Sequence, residues 1–155
     1  RSEVRIDSFH GPYRFLSNFW PWEKVGKEWV RMSGWLGITI GGINYPSTEH
    51  AYQAAKSLDN QVCLRVAEAK NSAVAKALGK RVTLRGDWGA VKLAIMKEIC
   101  TLKFQDPELR RLLLATGNAH LIEGNSWGDT YWGVCRGRGD NHLGEILMEV
   151  RSEAL

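Results

Sequence analysis

The run Asn125-Ser126-Trp127-Gly128-Asp129-Thr130-Tyr131-Trp132-Gly133 sets one carboxylate, Asp129, among three large aromatic side chains. Flat, rigid, apolar rings suit stacking on a nucleobase or sandwiching a sugar. The same run fits a tight turn between two strands, with Trp127 and Trp132 plugging a core and Asp129 bonding its own backbone. A second set of reactive side chains lies upstream. Glu49, Tyr52, Gln53 and Lys56 follow i, i+3, i+4, i+7 spacing and share one face of a predicted helix. Glu49 falls in the first turn, where the helix dipole favours its anionic form. Glu49 and Lys56 are two turns apart, about 10 Å along the axis. That is too far for a simple ion pair but suits gripping opposite ends of a small group. A face turned to water has the same pattern.

Two further groups are candidates. Trp88 opens the longest predicted helix, either as a pocket wall or as a packing staple, and Lys103 near the other end suits the dipole there. Arg136, Arg138, Asn141 and His142 stand among glycines before the last helix. Backbone N–H groups and cations there would make a phosphate cradle, or else an ordinary flexible turn.

The elements that must position these residues follow from punctuation and periodicity. Ile38-Thr39-Ile40, Gly41-Gly42 and Ile43-Asn44-Tyr45 predict a hairpin. Ser47 predicts an N-cap for a helix from Thr48 to about Leu58, with the alanines at 51, 54 and 55 on a closely packed side. Short helices are expected over Gln61–Ala69 and Ala73–Leu78. A long one, capped by Asp87, runs from Trp88 to about Phe104, with Val91, Ile95, Ile99 and Leu102 as its buried stripe. Asp106-Pro107 opens a helix to Ala115, His120–Glu123 reads as a strand, and the last helix starts near Asn141. The sum is an α+β fold: a single, mostly helical domain over residues 1–155 with a small β-sheet.

Composition narrows the class. A chain of 155 residues, 44% hydrophobic and 25% charged, has enough apolar content for a real core. No apolar run approaches the roughly 20 residues of a membrane helix, and Arg1–Gly11 lacks the apolar core of a signal peptide. The three cysteines are widely spaced without a C-x-x-C pair, and the four histidines lack ligand spacing. This predicts a reducing, cytoplasmic setting and no metal. Net charge is +4, with much of the excess between Lys70 and Lys92. A basic face suits phosphates or nucleic acid, although a solvated helical surface has the same composition.

Taken in order, several stretches resemble the NADAR superfamily. They are Tyr13–Phe19, Tyr45–His50 with Gln53 and Lys56, Asp87-Trp88, Met96, Lys103-Phe104 and Leu112–Gly117. Glu123, Asp129–Gly133, Asn141–Gly144 and Leu147–Arg151 complete the set. That superfamily includes N-glycosidases acting on riboflavin-pathway intermediates and hydrolases that remove ADP-ribose from guanine. The resemblance implies a NADAR-type fold and active-site positions at Asn18, Glu49, Lys56, Trp88, Asp129 and Trp132. Of these, Glu49, Lys56 and Asp129 are expected to be catalytic. Arg14, Tyr52, Gln53, Lys103, Glu123 and Asn141 join Asn18, Trp88 and Trp132 as expected substrate contacts. Lys24–Leu36, with two extra tryptophans, matches no feature of the family.

An N-glycosidic bond breaks through a transition state with positive charge on the sugar C1 and its ring oxygen. Asp129 or Glu49 would stabilise that cation or activate water, and tryptophans would clamp the base. Alternatively, a neutral Lys56 would capture the opened sugar as a Schiff base. No cofactor is required. The expected substrate is ADP-ribosylated guanine in nucleic acid, paired functionally with an ADP-ribosyltransferase. The alternatives are a ribosylaminopyrimidine phosphate, or a non-catalytic module binding NAD or ADP-ribose.

Overall fold

The computed structural model describes residues 4–155. In chain order the elements are β1 (Arg5–Ile6), a 3-10 turn (Gly11–Leu16), β2 (Trp22–Val25), β3 (Glu28–Arg31), β4 (Ile38–Ile40) and β5 (Ile43–Tyr45). Then come α1 (Thr48–Ala54), α2 (Asn60–Ala67), α3 (Ser72–Gly79), α4 (Trp88–Lys103) and α5 (Pro107–Ala115). The chain closes with β6 (His120–Leu121), β7 (Gly124–Asn125), β8 (Val134–Cys135) and α6 (His142–Glu153). This is a mostly helical α+β fold. The strands do not assemble into one small sheet: they form four separate two-stranded ladders, β1–β6 and β7–β8 parallel, β2–β3 and β4–β5 antiparallel. No helix among the described residues is long and apolar enough to cross a membrane.

Two compact units result, a middle unit of Asn18–Ile95 and a flanking unit of the chain through Ser17 with Met96–Leu155. In the middle unit, the β4–β5 hairpin turns on Gly41 and Gly42, whose φ of 57° and 80° are the left-handed values a tight hairpin needs. Ser47 caps α1 by accepting the His50 N–H, as its position predicts. Asp59 and Asn71 do the same for α2 and α3. Every residue of α1 is buried, which settles the orientation of the Glu49–Gln53 face: it points inward, not to water.

α1 ends four residues earlier than expected. The N–H groups of Lys56 and Ser57 donate to Gln53 and Ala54, three residues back, so the last turn tightens and Lys56 leaves the helix. The Lys56 carbonyl then accepts from the Arg85 N–H at 2.7 Å. Cys63 points its Sγ at the Ala54 carbonyl, 3.4 Å away.

α4 buries a different stripe from the expected one. Met96, Ile99, Cys100 and Lys103 are almost wholly inaccessible, while Val91, Ile95 and Leu102 are half-buried. The stripe still has helical spacing, but one of its members is a lysine. The Asp87 carboxylate does not cap this helix. It takes the Arg85 guanidinium at 2.6 Å, and the Asp87 carbonyl accepts the N–H groups of Ala90 and Val91.

In the flanking unit, Asp106 caps α5 through the Leu109 N–H. β6 pairs with β1, and α6 packs against β6 by Leu143, Ile146, Leu147 and Val150. All three cysteines are free, and Cys100 and Cys135 are buried.

Candidate active site

The middle unit gathers six of the expected residues around α1. The Asn18 carbonyl accepts the Glu49 N–H at 3.0 Å and the Thr48 hydroxyl at 3.1 Å, and its side-chain Oδ1 lies 2.9 Å from the same hydroxyl. Asn18 therefore fastens the first turn of α1 and sets where Glu49 points. Glu49 is buried, and its Oε2 accepts a short hydrogen bond from Gln53 Nε2 one turn on. The Gln53 amide is itself wedged against α3. A methyl group at Gly79 would stand 1.8 Å from Gln53 Oε1, so only glycine allows this approach. That oxygen is buried without a hydrogen-bond partner.

Lys56 lies beyond the end of α1 with its Nζ 5.6 Å from the centre of the Tyr52 ring. Tyr52 in turn packs on Trp88, ring centres 5.3 Å apart. Burial pushes the Lys56 pKa below the usual lysine value; Glu49 pulls it back up, and Lys76, Lys80 and Lys92 push it further down. The result is an amine with an enlarged neutral fraction, over one aromatic ring and within the field of a carboxylate. Those three lysines were not singled out as site residues from sequence. The basic excess over Lys70–Lys92 was the available signal, and it did not reveal that the charges converge on one amine.

His50, between these residues in sequence, has a structural task. Its ring bridges Ser47 Oγ at 2.6 Å and the Ala69 carbonyl at 3.0 Å. Desolvation lowers its pKa, holding it neutral.

In the flanking unit, Lys103 is the largest fully buried side chain among the described residues. Its Nζ donates to the Ser17 carbonyl at 3.0 Å and lies 5.2 Å from the Phe104 ring centre. Burial drops its pKa to about 7, against smaller upward pulls from Cys100 and Glu123. Burial also pushes the Cys100 thiol up to about 12. Sequence spacing suggested a dipole partner at a helix end; the structure shows a desolvated amine instead. Arg14 sits in the 3-10 turn, half-buried, its carbonyl accepting the Ser17 N–H.

The aromatic run is a loop closed by side-chain-to-backbone bonds. Asn125 donates to the Asp129 carbonyl at 2.8 Å and accepts the Asp129 N–H at 3.0 Å. Asp129 Oδ1 accepts the N–H groups of Tyr131 and Trp132, at 3.1 and 2.9 Å. Trp132 and Tyr131 meet edge to face, and both contact the His142 ring. Trp127 is not a core plug, being 57% exposed.

The carbonyls of Thr130, Tyr131, Gly133 and Trp132 accept the N–H groups of Asp140, His142, Asn141 and Leu143 respectively. The donors at the start of α6 are thereby consumed, which removes the expected phosphate cradle. Asn141, in the left-handed conformation at φ 54°, ties Leu121 and Glu123 together through its amide, each bond 2.9 Å. Glu123 is also pinned by its carbonyl, which takes the Val134 N–H.

Comparison with known proteins gives one consistent family. Residues 7–154 match the NADAR domain. N-glycosidase YbiA of Escherichia coli (strain K12) is 35% identical over 142 residues, covering 89% of this chain and 88% of that protein. A riboflavin biosynthesis protein of Vibrio vulnificus is 37% identical over 151 residues, covering 95% of this chain but 36% of that protein. The NMR structure of E. coli YbiA matches with a TM-score of 0.77 and 33% identity, over 99% of this chain and 86% of that one.

Proposed function

The chain belongs to the NADAR domain family and is a hydrolase of N-glycosyl bonds, and we propose that it removes ADP-ribose from guanine in nucleic acid. One observation carries this reading: Lys56, 5.6 Å from the Tyr52 ring centre and lowered in pKa by burial, stands in the combined field of Glu49, Lys76, Lys80 and Lys92. An amine that attacks must be neutral, and the surrounding lysines suit a substrate rich in phosphate.

In the proposed reaction the glycosyl bond joins the sugar C1 to an exocyclic amine of the base. Opening of the sugar ring gives a C1 imine to that amine. The Lys56 amine adds to C1, the base amine leaves with the proton that Lys56 gives up, and Glu49 carries that proton. Water then adds to the Lys56 imine and releases the sugar aldehyde, restoring the amine. Tyr52 and Trp88 offer the stacking wall that holds the base. Asp129 and Trp132 are further residues we assign to this reaction, on the family likeness. The substrate must be supplied by a transferase that places ADP-ribose on guanine.

A second reading is favoured by the name of the V. vulnificus relative: cleavage of a ribosylaminopyrimidine phosphate. Offering both substrates side by side and measuring released sugar decides between them. Release from ADP-ribosylated guanine alone supports the proposal; release from the pyrimidine phosphate alone overturns it. Borohydride added during turnover is expected to leave a sugar adduct on Lys56. An unlabelled enzyme, with Lys56→Ala still active, removes the Schiff-base route.

A further inference from the structure

The net positive charge of this protein comes from one part of its sequence. Residues 18–95 carry eleven Lys and Arg against six Asp and Glu, a net of +5; the rest carries ten against eleven, a net of −1. Within that basic unit, the β2–β3 hairpin and the start of α3 enclose a cleft of about 640 Å³. Lys27, Glu28 and Trp29 line it from the hairpin, and Lys70 and Asn71 from the turn into α3.

Two packed rings with a cation on either side lead away from this cleft. Lys24 Nζ lies 5.9 Å from the Trp29 ring centre, Trp29 packs on Phe19 at 5.3 Å, and Lys76 Nζ lies 5.8 Å from the Phe19 ring centre. Lys76 is in turn one of the charges that depress Lys56. Lys24, Lys27 and Trp29 of this hairpin take no part in the proposed hydrolysis.

We propose that the cleft between the β2–β3 hairpin and α3 is a track for single-stranded nucleic acid leading toward Lys56, with Trp29 as a base-stacking platform and Lys27 and Lys70 as phosphate contacts. It rests on the reading that the substrate base is carried in nucleic acid. An aromatic ring among basic side chains in a groove is the arrangement that holds unpaired strands, because each base has a face to stack and each nucleotide a phosphate to neutralise. A duplex keeps its bases stacked on one another and has none to offer Trp29.

The test is binding of an unmodified, fluorescein-labelled oligothymidylate of about a dozen nucleotides, a typical site size, followed by anisotropy over a range of salt. The full chain is expected to bind it and to prefer it to a duplex of the same length. Lys27→Glu with Lys70→Glu is expected to weaken binding at least tenfold, and to flatten the salt dependence by about 0.7 per lost phosphate contact. Trp29→Ala should weaken it by roughly 5- to 150-fold, with Trp29→Tyr restoring most of the loss. Hydrolysis of free ADP-ribosylated guanosine should be unchanged in the double lysine variant. Absence of wild-type binding, preference for duplex, or variants that bind like wild type would each overturn the track. Hydrolysis of the free nucleoside substrate reports separately on the function itself.

Discussion

At the residue scale, the proposed chemistry depends on how one amine is tuned. In the proposed reaction Lys56 attacks only when neutral, so the rate of hydrolysis is expected to rise with pH and level off at the Lys56 pKa, below the ordinary lysine value. Lys80 repels the charged form. Lys80→Ala should therefore raise that pKa and move the pH limb upward, whereas Glu49→Gln, which removes an attraction, should move it downward. Glu49→Gln should also cost about 10²–10⁴ in rate if the carboxylate carries the proton. Lys56→Arg should be inactive, because a guanidinium does not deprotonate. A pH–rate profile of Lys80→Ala and Glu49→Gln checks both signs. Lys103 yields a prediction about stability. Its folded pKa of about 7 lies below the unfolded value of 10.5, so the unfolded chain binds more protons between these pH values. Stability gained from a neutral Lys103 is present above 10.5 and lost as pH falls toward 7. Lys103→Met is thus expected to raise the melting temperature more at pH 6 than at pH 9. An equal shift at both would show that the amine is not desolvated in solution.

At the scale of elements, reactive groups are held by what packs behind them. Gly79 on α3 exists for Gln53, and Gly79→Ala should cost about 1–3 kcal/mol as an overpacked contact. It should also lower turnover, because Gln53 must move off Glu49. Turnover unchanged in a well-folded Gly79→Ala would show that this wedge does not position the carboxylate. Asn141 is both a left-handed residue and a double strap. Asn141→Gly preserves the backbone freedom but not the bonds to Leu121 and Glu123, and should cost about 1–3 kcal/mol for each group left unpaired. A chemical denaturation curve reads it. The comparison between sequence and structure is clearest here. Helix starts, the β4–β5 hairpin and the α1 site face were legible because caps, Gly-Gly pairs and i, i+4 spacing are local signals. The early end of α1, the lysine in the α4 stripe and the consumed donors of α6 were not. Each is decided by a partner far away in sequence: Arg85 for Lys56, Ser17 for Lys103, and the aromatic run for α6. Asp129 shows both sides at once. Its bonds to its own loop were one of two readings open from the residues, and the structure contains them.

At the scale of the whole molecule, the chain divides its charge and its packing between a basic middle unit and a near-neutral flanking one. The free thiols are divided as well: Cys63 in the middle unit, Cys100 and Cys135 in the flanking one. Because Cys100 has no accessible surface, it reacts with an alkylating reagent only when its surroundings open. The chain thus carries a built-in stopwatch. In brief alkylation pulses across a denaturant series, peptide masses would time the opening around Cys100 and Cys135, while the half-buried Cys63 labels ahead of both. We expect Cys100 and Cys135 to reach full labelling at the same midpoint, since both are buried within one unit. Separate midpoints would mean that α4 can come away while the β7–β8 ladder stays folded.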